Sequence, residues 1–136
     1  MNDFFIEWER TPLEEVSSRK SAHFFALERD GEILYLGLAY QLNFNDELNE
    51  CMEVFNLNRE NINVWSGMII QNIHNIVNRH LAEEVLCLMV NNMKTRFNIL
   101  CKESYYGREG LTVHNRGCTL MPPFAKTRKQ LVRLAG

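Results

Sequence analysis

This sequence has no paired cysteines of the CxxC type. Cys51, Cys87, Cys101 and Cys118 stand alone, so a zinc ribbon or a thioredoxin-type motif is excluded. It also lacks long apolar runs: none approaches the roughly 18 residues that a membrane-spanning helix needs. The start carries Asp3, Glu7 and Glu9 and has no basic-then-apolar pattern, so it does not read as a secretory signal. Together with the scattered cysteines, this predicts reduced thiols, a cytoplasmic location and no membrane association. Repeats and low-complexity linkers are also missing, and the 15 asparagines are dispersed.

What is present suits one globular domain. The chain has 136 residues, 46% of them hydrophobic and 24% charged, which excludes disordered and collagen-like classes. A domain of this size hides roughly two-thirds of its unfolded surface. The mild net charge of −2 conceals an asymmetry. Residues 1–90 carry 6 basic and 15 acidic side chains, net −9, and residues 91–136 carry 9 basic and 2 acidic ones, net +7. The basic part holds Lys94, Arg96, Lys102, Arg108, Arg116, Lys126, Arg128, Lys129 and Arg133. It has two readings: it meets a phosphate backbone or an acidic protein, or it neutralises acidic side chains of its own or a neighbouring subunit.

Local signals outline the elements. Phe4 to Trp8 reads as a strand or a docking arm. Thr11-Pro12-Leu13-Glu14 has the residues of a capping box and predicts a short helix to about Arg19. Ala22–Glu28 and Glu32–Tyr40 flank Arg29-Asp30-Gly31, a hairpin signature, since Asp-Gly accepts positive φ. Asn45 caps a helix to Phe55, with Asp46 and Glu47 in its first turn. Ile62–Ile70 alternates imperfectly and reads as a third strand. From Ile73 to Thr95 apolar residues recur every three or four positions, a helix stripe. Beyond Phe97 glycines and Pro122-Pro123 mark loops around a short strand, Leu111–His114, and Lys126–Leu134 reads as a basic helix. The expected fold is α/β (α+β): a small mixed three-stranded sheet opening with an antiparallel hairpin and flanked by helices. It forms a single domain over residues 1–136, with a core at about 20–100 and a basic irregular extension at about 101–136.

One carboxylate is oddly placed. At about 100° per residue, Glu84 falls roughly 20° from Val77 and inside the stripe of Leu81, Val85 and Leu88, whereas Glu83 falls outside it. A buried carboxylate is costly unless paired. His80, one turn earlier, is the partner the spacing offers. A structural His80–Glu84 pair and a metal-binding or catalytic carboxylate are both open at this point. Cys101, His114 and Cys118 do not amount to a zinc set, because a fourth ligand is missing.

Tyr35-Leu36-Gly37, with Phe24 eleven residues earlier, Glu84-Val85-Leu86-Cys87-Leu88 and Arg96-Phe97-Asn98-Ile99 together resemble the GIY-YIG nuclease superfamily, in the family's order over about residues 22 to 99. The resemblance implies a metal-dependent endonuclease acting on DNA. Glu84 would hold one Mg2+ or Mn2+ ion, Tyr35 would orient water, His23 or His80 would serve as base, and Asn98 would be the family's asparagine. It also requires Tyr35 and Glu84 to share a pocket. The sequence departs from the pattern in four places, one being the 14-residue distance from Glu84 to Asn98, about two longer than the family's. Phe24 replaces the first tyrosine, the helix after Gly37 has no arginine, and no proline precedes Asn98. The resemblance therefore implies impaired or unusual cleavage. The alternative is a non-catalytic module on the same fold that docks a protein partner or self-associates.

Overall fold

The computed structural model describes residues 3–18, 22–71 and 76–127. Strand β1 (Asp3–Thr11) buries Phe4, Ile6 and Trp8 on one face, the alternation of a half-buried strand. A 3₁₀ turn, Leu13–Ser18, follows where the sequence predicts an α-helix. Strands β2 (Phe24–Arg29) and β3 (Glu32–Leu38) form the expected hairpin. Its turn residues Asp30 and Gly31 both have positive φ, 52° and 80°. Helix α1 (Phe44–Val54) starts two residues earlier than expected: Asn43, not Asn45, is the cap, and its Oδ1 accepts the Asp46 N–H at 3.0 Å. Strand β4 spans Asn63–Ile69. Helix α2 (Arg79–Met93) follows the Asn78 cap and its first residue is six positions after the expected start at Ile73, which lies outside the described residues. Strands β5 (Thr112–Arg116) and β6 (Phe124–Lys126) complete the chain. Of the basic helix expected at Lys126–Leu134, Lys126 lies in β6 and Thr127 is not helical; residues 128–134 lie outside the described residues.

The sheet has six strands, not three, in the order β3-β2-β4-β1-β5-β6. The expected three are contiguous in it. All neighbours are antiparallel except β1 and β5, which run parallel. The extra strands come from the segment read as a strand or a docking arm, from the short strand expected at Leu111–His114, and from Phe124–Lys126 in the extension read as irregular. That extension supplies core: Leu111, Val113 and Ala125 are fully buried. The Pro and Gly residues there flank the strands and do not replace them; the Pro123 carbonyl accepts the Asn115 N–H at 2.9 Å.

The two helices lie on opposite faces of the sheet. On β2, Phe24 and Ala26 point toward α2 and pack with Leu81, Val85 and Leu88. Phe25 and Leu27 point the other way and pack with Phe44 and Leu48 of α1. Each fully buried side chain of this size contributes about 1.5–3 kcal/mol. Gly37 is glycine for a packing reason: a Cβ there would lie 2.2 Å from the Phe25 ring. Helix α1 covers only part of its face. Over β1, β5 and β6 that face leaves Glu7, Arg116, Phe124 and Lys126 exposed and Phe5, Thr112 and His114 half-buried. No helix among the described residues is long and apolar enough to cross a membrane.

Candidate functional site

Glu84 is buried, 6% exposed, as the helix stripe predicts. Its principal partner is Arg108, in the long loop between α2 and β5. The guanidinium donates through Nη2 to Oε1 at 2.9 Å and through Nε to Oε2 at 3.1 Å, and the Arg108 backbone N–H reaches Oε2 at 2.7 Å. Such a two-point contact is among the stronger side-chain pairings. His80, the partner the spacing offers, is also there, Nε2 to Oε1 at 3.2 Å, but its side chain is 81% exposed. Arg108's hydrogen bonds hold the Glu84 carboxyl below the usual carboxylate range against the opposing effect of burial. Tyr105 steadies the loop by donating its hydroxyl to the Arg108 carbonyl at 2.7 Å. Beside Glu84 opens a cleft of about 250 Å³ lined by His80, Glu83, Cys87, Cys101, Tyr106 and Gly107.

Two walls of that cleft are joined. Cys87 and Cys101 form a disulfide, with Cα atoms 5.2 Å apart, so the expectation of four reduced thiols is corrected. Cys51 and Cys118 are free. A separation of 14 residues with no CxxC gave no sequence signal; the pairing arises because the loop folds back along α2, where Asn91 Nδ2 also donates to the Cys101 carbonyl at 3.2 Å.

Tyr35 is elsewhere. It packs against Phe25 and Phe55 on the α1 side and shares a hydrogen bond with Cys51. A separate cleft of about 230 Å³, lined by Glu47, Glu50, Val54 and Phe55, holds that pair. Burial, above all, pushes the Tyr35 hydroxyl up to about 12 and the Cys51 thiol up to about 11. Tyr35 and Glu84 therefore do not share a pocket; the sheet lies between their faces.

Asn98 reaches the segment containing Tyr35, though not its side chain. Its Oδ1 accepts the Leu36 N–H and its Nδ2 donates to the Leu36 carbonyl, both at 2.9 Å. The side-chain amide thus mimics a neighbouring strand on the sheet edge. His23 is a core group: its Nδ1 accepts the Ile69 N–H at 3.0 Å, and burial lowers its pKa.

The basic set is scattered. Arg96 pairs with Glu32 at 2.7 Å, Arg108 with Glu84, and Lys102 Nζ donates to the Arg96 carbonyl at 3.3 Å. Basic residues of the C-terminal half thus neutralise acids of the N-terminal half. Arg128 and Lys129 lie outside the described residues. Arg116 stands over the Phe5 ring and Lys126 over the Phe124 ring, 4.6 and 5.3 Å from the centroids. Sequence reasoning missed those rings. The signal that could have found them is the alternation Phe4-Phe5-Ile6, which puts Phe5 on the face opposite the buried pair.

A hard divalent cation needs carboxylate oxygens free to coordinate. Both oxygens of Glu84 are engaged by Arg108, and among the described residues no three His, Cys, Asp or Glu side chains converge as a ligand set. The residues present do not fit Mg2+ or Mn2+. Cys101, His114 and Cys118 form no zinc set either: Cys101 is in the disulfide, and His114 Nε2 meets Asp3 at 3.2 Å. No family model, curated protein or solved structure matches this chain.

Proposed function

We propose that this chain is a non-catalytic binding module that holds a partner without cleaving it. The observation that carries this reading is the Glu84 carboxylate, filled from both sides by Arg108 and separated by the sheet from Tyr35. A phosphodiester hydrolase needs a carboxylate available to a cation and a water-orienting group next to it; here the first is neutralised and the second is remote. The test is supercoiled plasmid incubated with Mg2+ or Mn2+. The plasmid stays supercoiled with wild-type protein and with Glu84→Gln alike. Nicking by the wild type that Glu84→Gln abolishes refutes the proposal.

A second reading keeps the GIY-YIG-like nuclease. It is favoured by the open cleft in which the exposed His80 imidazole meets Glu84, and by Asn98 at Leu36. On that reading DNA is the substrate, Mg2+ or Mn2+ is needed, and Arg108 must first let go of Glu84. The same plasmid assay decides between the two.

A further inference from the structure

The cleft beside Glu84 opens onto the Cys87–Cys101 bond, since both cysteines line it. The two sulfurs are unequally placed. Cys87 is buried on α2, 8% exposed, whereas Cys101 is half-buried in the loop between α2 and β5. That loop holds no helix or strand from Lys94 to Leu111. It is anchored at both ends, by Asn98 on Leu36 and by Arg108 on Glu84 with the fully buried Leu111 just beyond. Between the anchors burial does little. Ile99, Leu100 and Tyr106 are 87%, 82% and 82% exposed, and only Tyr105 and Cys101 reach the core. Asn91 and Lys94 donate to the Cys101 and Lys102 carbonyls, and Lys94 adds an exposed ion pair with Glu103. Cys101 itself has a φ of 68°, a left-handed conformation that its Cβ makes costly and that its surroundings must hold.

We propose that this bond is a thiol–disulfide exchange site open to a small dithiol, and that it latches one wall of the cleft. Exposed or strained disulfides are the labile ones, unlike those sealed in a core. A thiolate of the dithiol enters the cleft and attacks Cys101 Sγ. The Cys87–Cys101 bond breaks, a mixed disulfide forms on Cys101, and the electron pair leaves on Cys87 Sγ, which takes a proton. The second thiolate of the dithiol then attacks its own partner sulfur in the mixed disulfide. Cys101 leaves as a thiolate and is protonated in turn. Two electrons and two protons thus pass from the dithiol, which ends as a cyclic disulfide, to the two cysteines. The reverse sequence closes the latch. With the bond open, residues 99–107 lose their covalent tie to α2 while Asn98, Arg108 and Leu111 keep the loop's ends in place. The wall made by Cys101, Tyr106 and Gly107 then parts from His80 and Glu83, and the sheet stays folded.

The probe is dithiothreitol added to the oxidised full chain, with thiols alkylated at intervals and located by peptide mass. Direct attack predicts a rate that rises linearly with dithiothreitol and is flat across low, non-denaturing urea. A rate that saturates with dithiothreitol and climbs with urea means that the chain must unfold first, and the proposal falls. Brief exposure to 2-mercaptoethanol, quenched in acid, should leave its adduct on Cys101; an adduct on Cys87 overturns the assigned direction of attack. In the reduced chain, hydrogen exchange over residues 99–107 should quicken roughly tenfold or more while α2 and the sheet keep their protection. Unchanged exchange in the loop would show that the bond latches nothing. Protection lost throughout α2 and the sheet would make the bond a staple of the whole fold, and either result overturns the proposal.

Discussion

Arg108 and Glu84 are 24 positions apart in sequence, yet the arginine meets both carboxylate oxygens with its side chain and one of them again with its backbone N–H. The contact fastens the loop before β5 to α2, and it neutralises the one carboxylate that the helix buries.

Removing Arg108 therefore strands a buried carboxylate. Arg108→Gln is expected to destabilise the fold by about 2 kcal/mol, in the range for lost hydrogen bonds to a charged group, read as a lower urea midpoint. The pH dependence has a definite sign. Glu84's folded pKa is lowered, so its contribution is fully present above the unfolded carboxylate value and is lost as pH falls toward the folded one. Glu84→Gln should flatten that acid limb of the stability curve; an unchanged limb would mean that other carboxylates produce it.

Reduction of the Cys87–Cys101 disulfide should cost about 3 kcal/mol, the chain-entropy value for a loop of this length. Urea unfolding with and without a dithiol reductant measures it. Trypsin should then cleave faster at Lys102 and Arg108, which sit in the loop the bond restrains. Unchanged cleavage after complete reduction would show that the loop's other contacts, the Glu84–Arg108 pair and Asn91 at the Cys101 carbonyl among them, hold it without the bond.

Asn98 should divide into two halves. Asn98→Ala loses both hydrogen bonds at the β3 edge and costs about 1–3 kcal/mol. Asn98→Asp keeps the acceptor for the Leu36 N–H and loses the donor to its carbonyl. Hydrogen exchange at Leu36 should quicken strongly in the alanine variant and weakly in the aspartate one.

Tyr35, buried beside Cys51, should ionise late. Its hydroxyl is pushed up to about 12, so the phenolate band that Tyr35→Phe removes should emerge only near that pH. The raised value means that its stabilising contribution is whole below the ordinary tyrosine range and fades as pH rises through the folded pKa. A phenolate that emerges near the ordinary value would place Tyr35 in solvent.

These predictions draw unequally on the sequence. The hairpin was readable because Asp30-Gly31 is a local turn signal, and Glu84's burial because helix periodicity is local too. The cap lies at Asn43, two residues before the Asn45 that the sequence pattern suggests, because Phe44, read as lying outside the helix, is its first residue and is buried. Strand β5 is legible as the short strand at Leu111–His114, but its place in the sheet is not, because its partner is remote: Asp3 pairs with Thr112 across most of the chain; β6 is three residues long and follows Pro122-Pro123, which read as loop. His80 could be named as Glu84's neighbour from its spacing, but Arg108 and the disulfide depend on how an irregular loop folds back, which no periodicity encodes. The separation of Tyr35 from Glu84 likewise follows from which face each strand residue takes, and a register shift between Leu27 and Glu28 resets that alternation in the hairpin.

The most direct test is whether Glu84 is available to a cation. Free Mn2+ can be titrated by electron paramagnetic resonance against wild-type protein, Glu84→Gln and Arg108→Gln. The account predicts the same free-ion signal for wild type and Glu84→Gln, with any new binding confined to Arg108→Gln. Manganese held by the wild type and released by Glu84→Gln would contradict it.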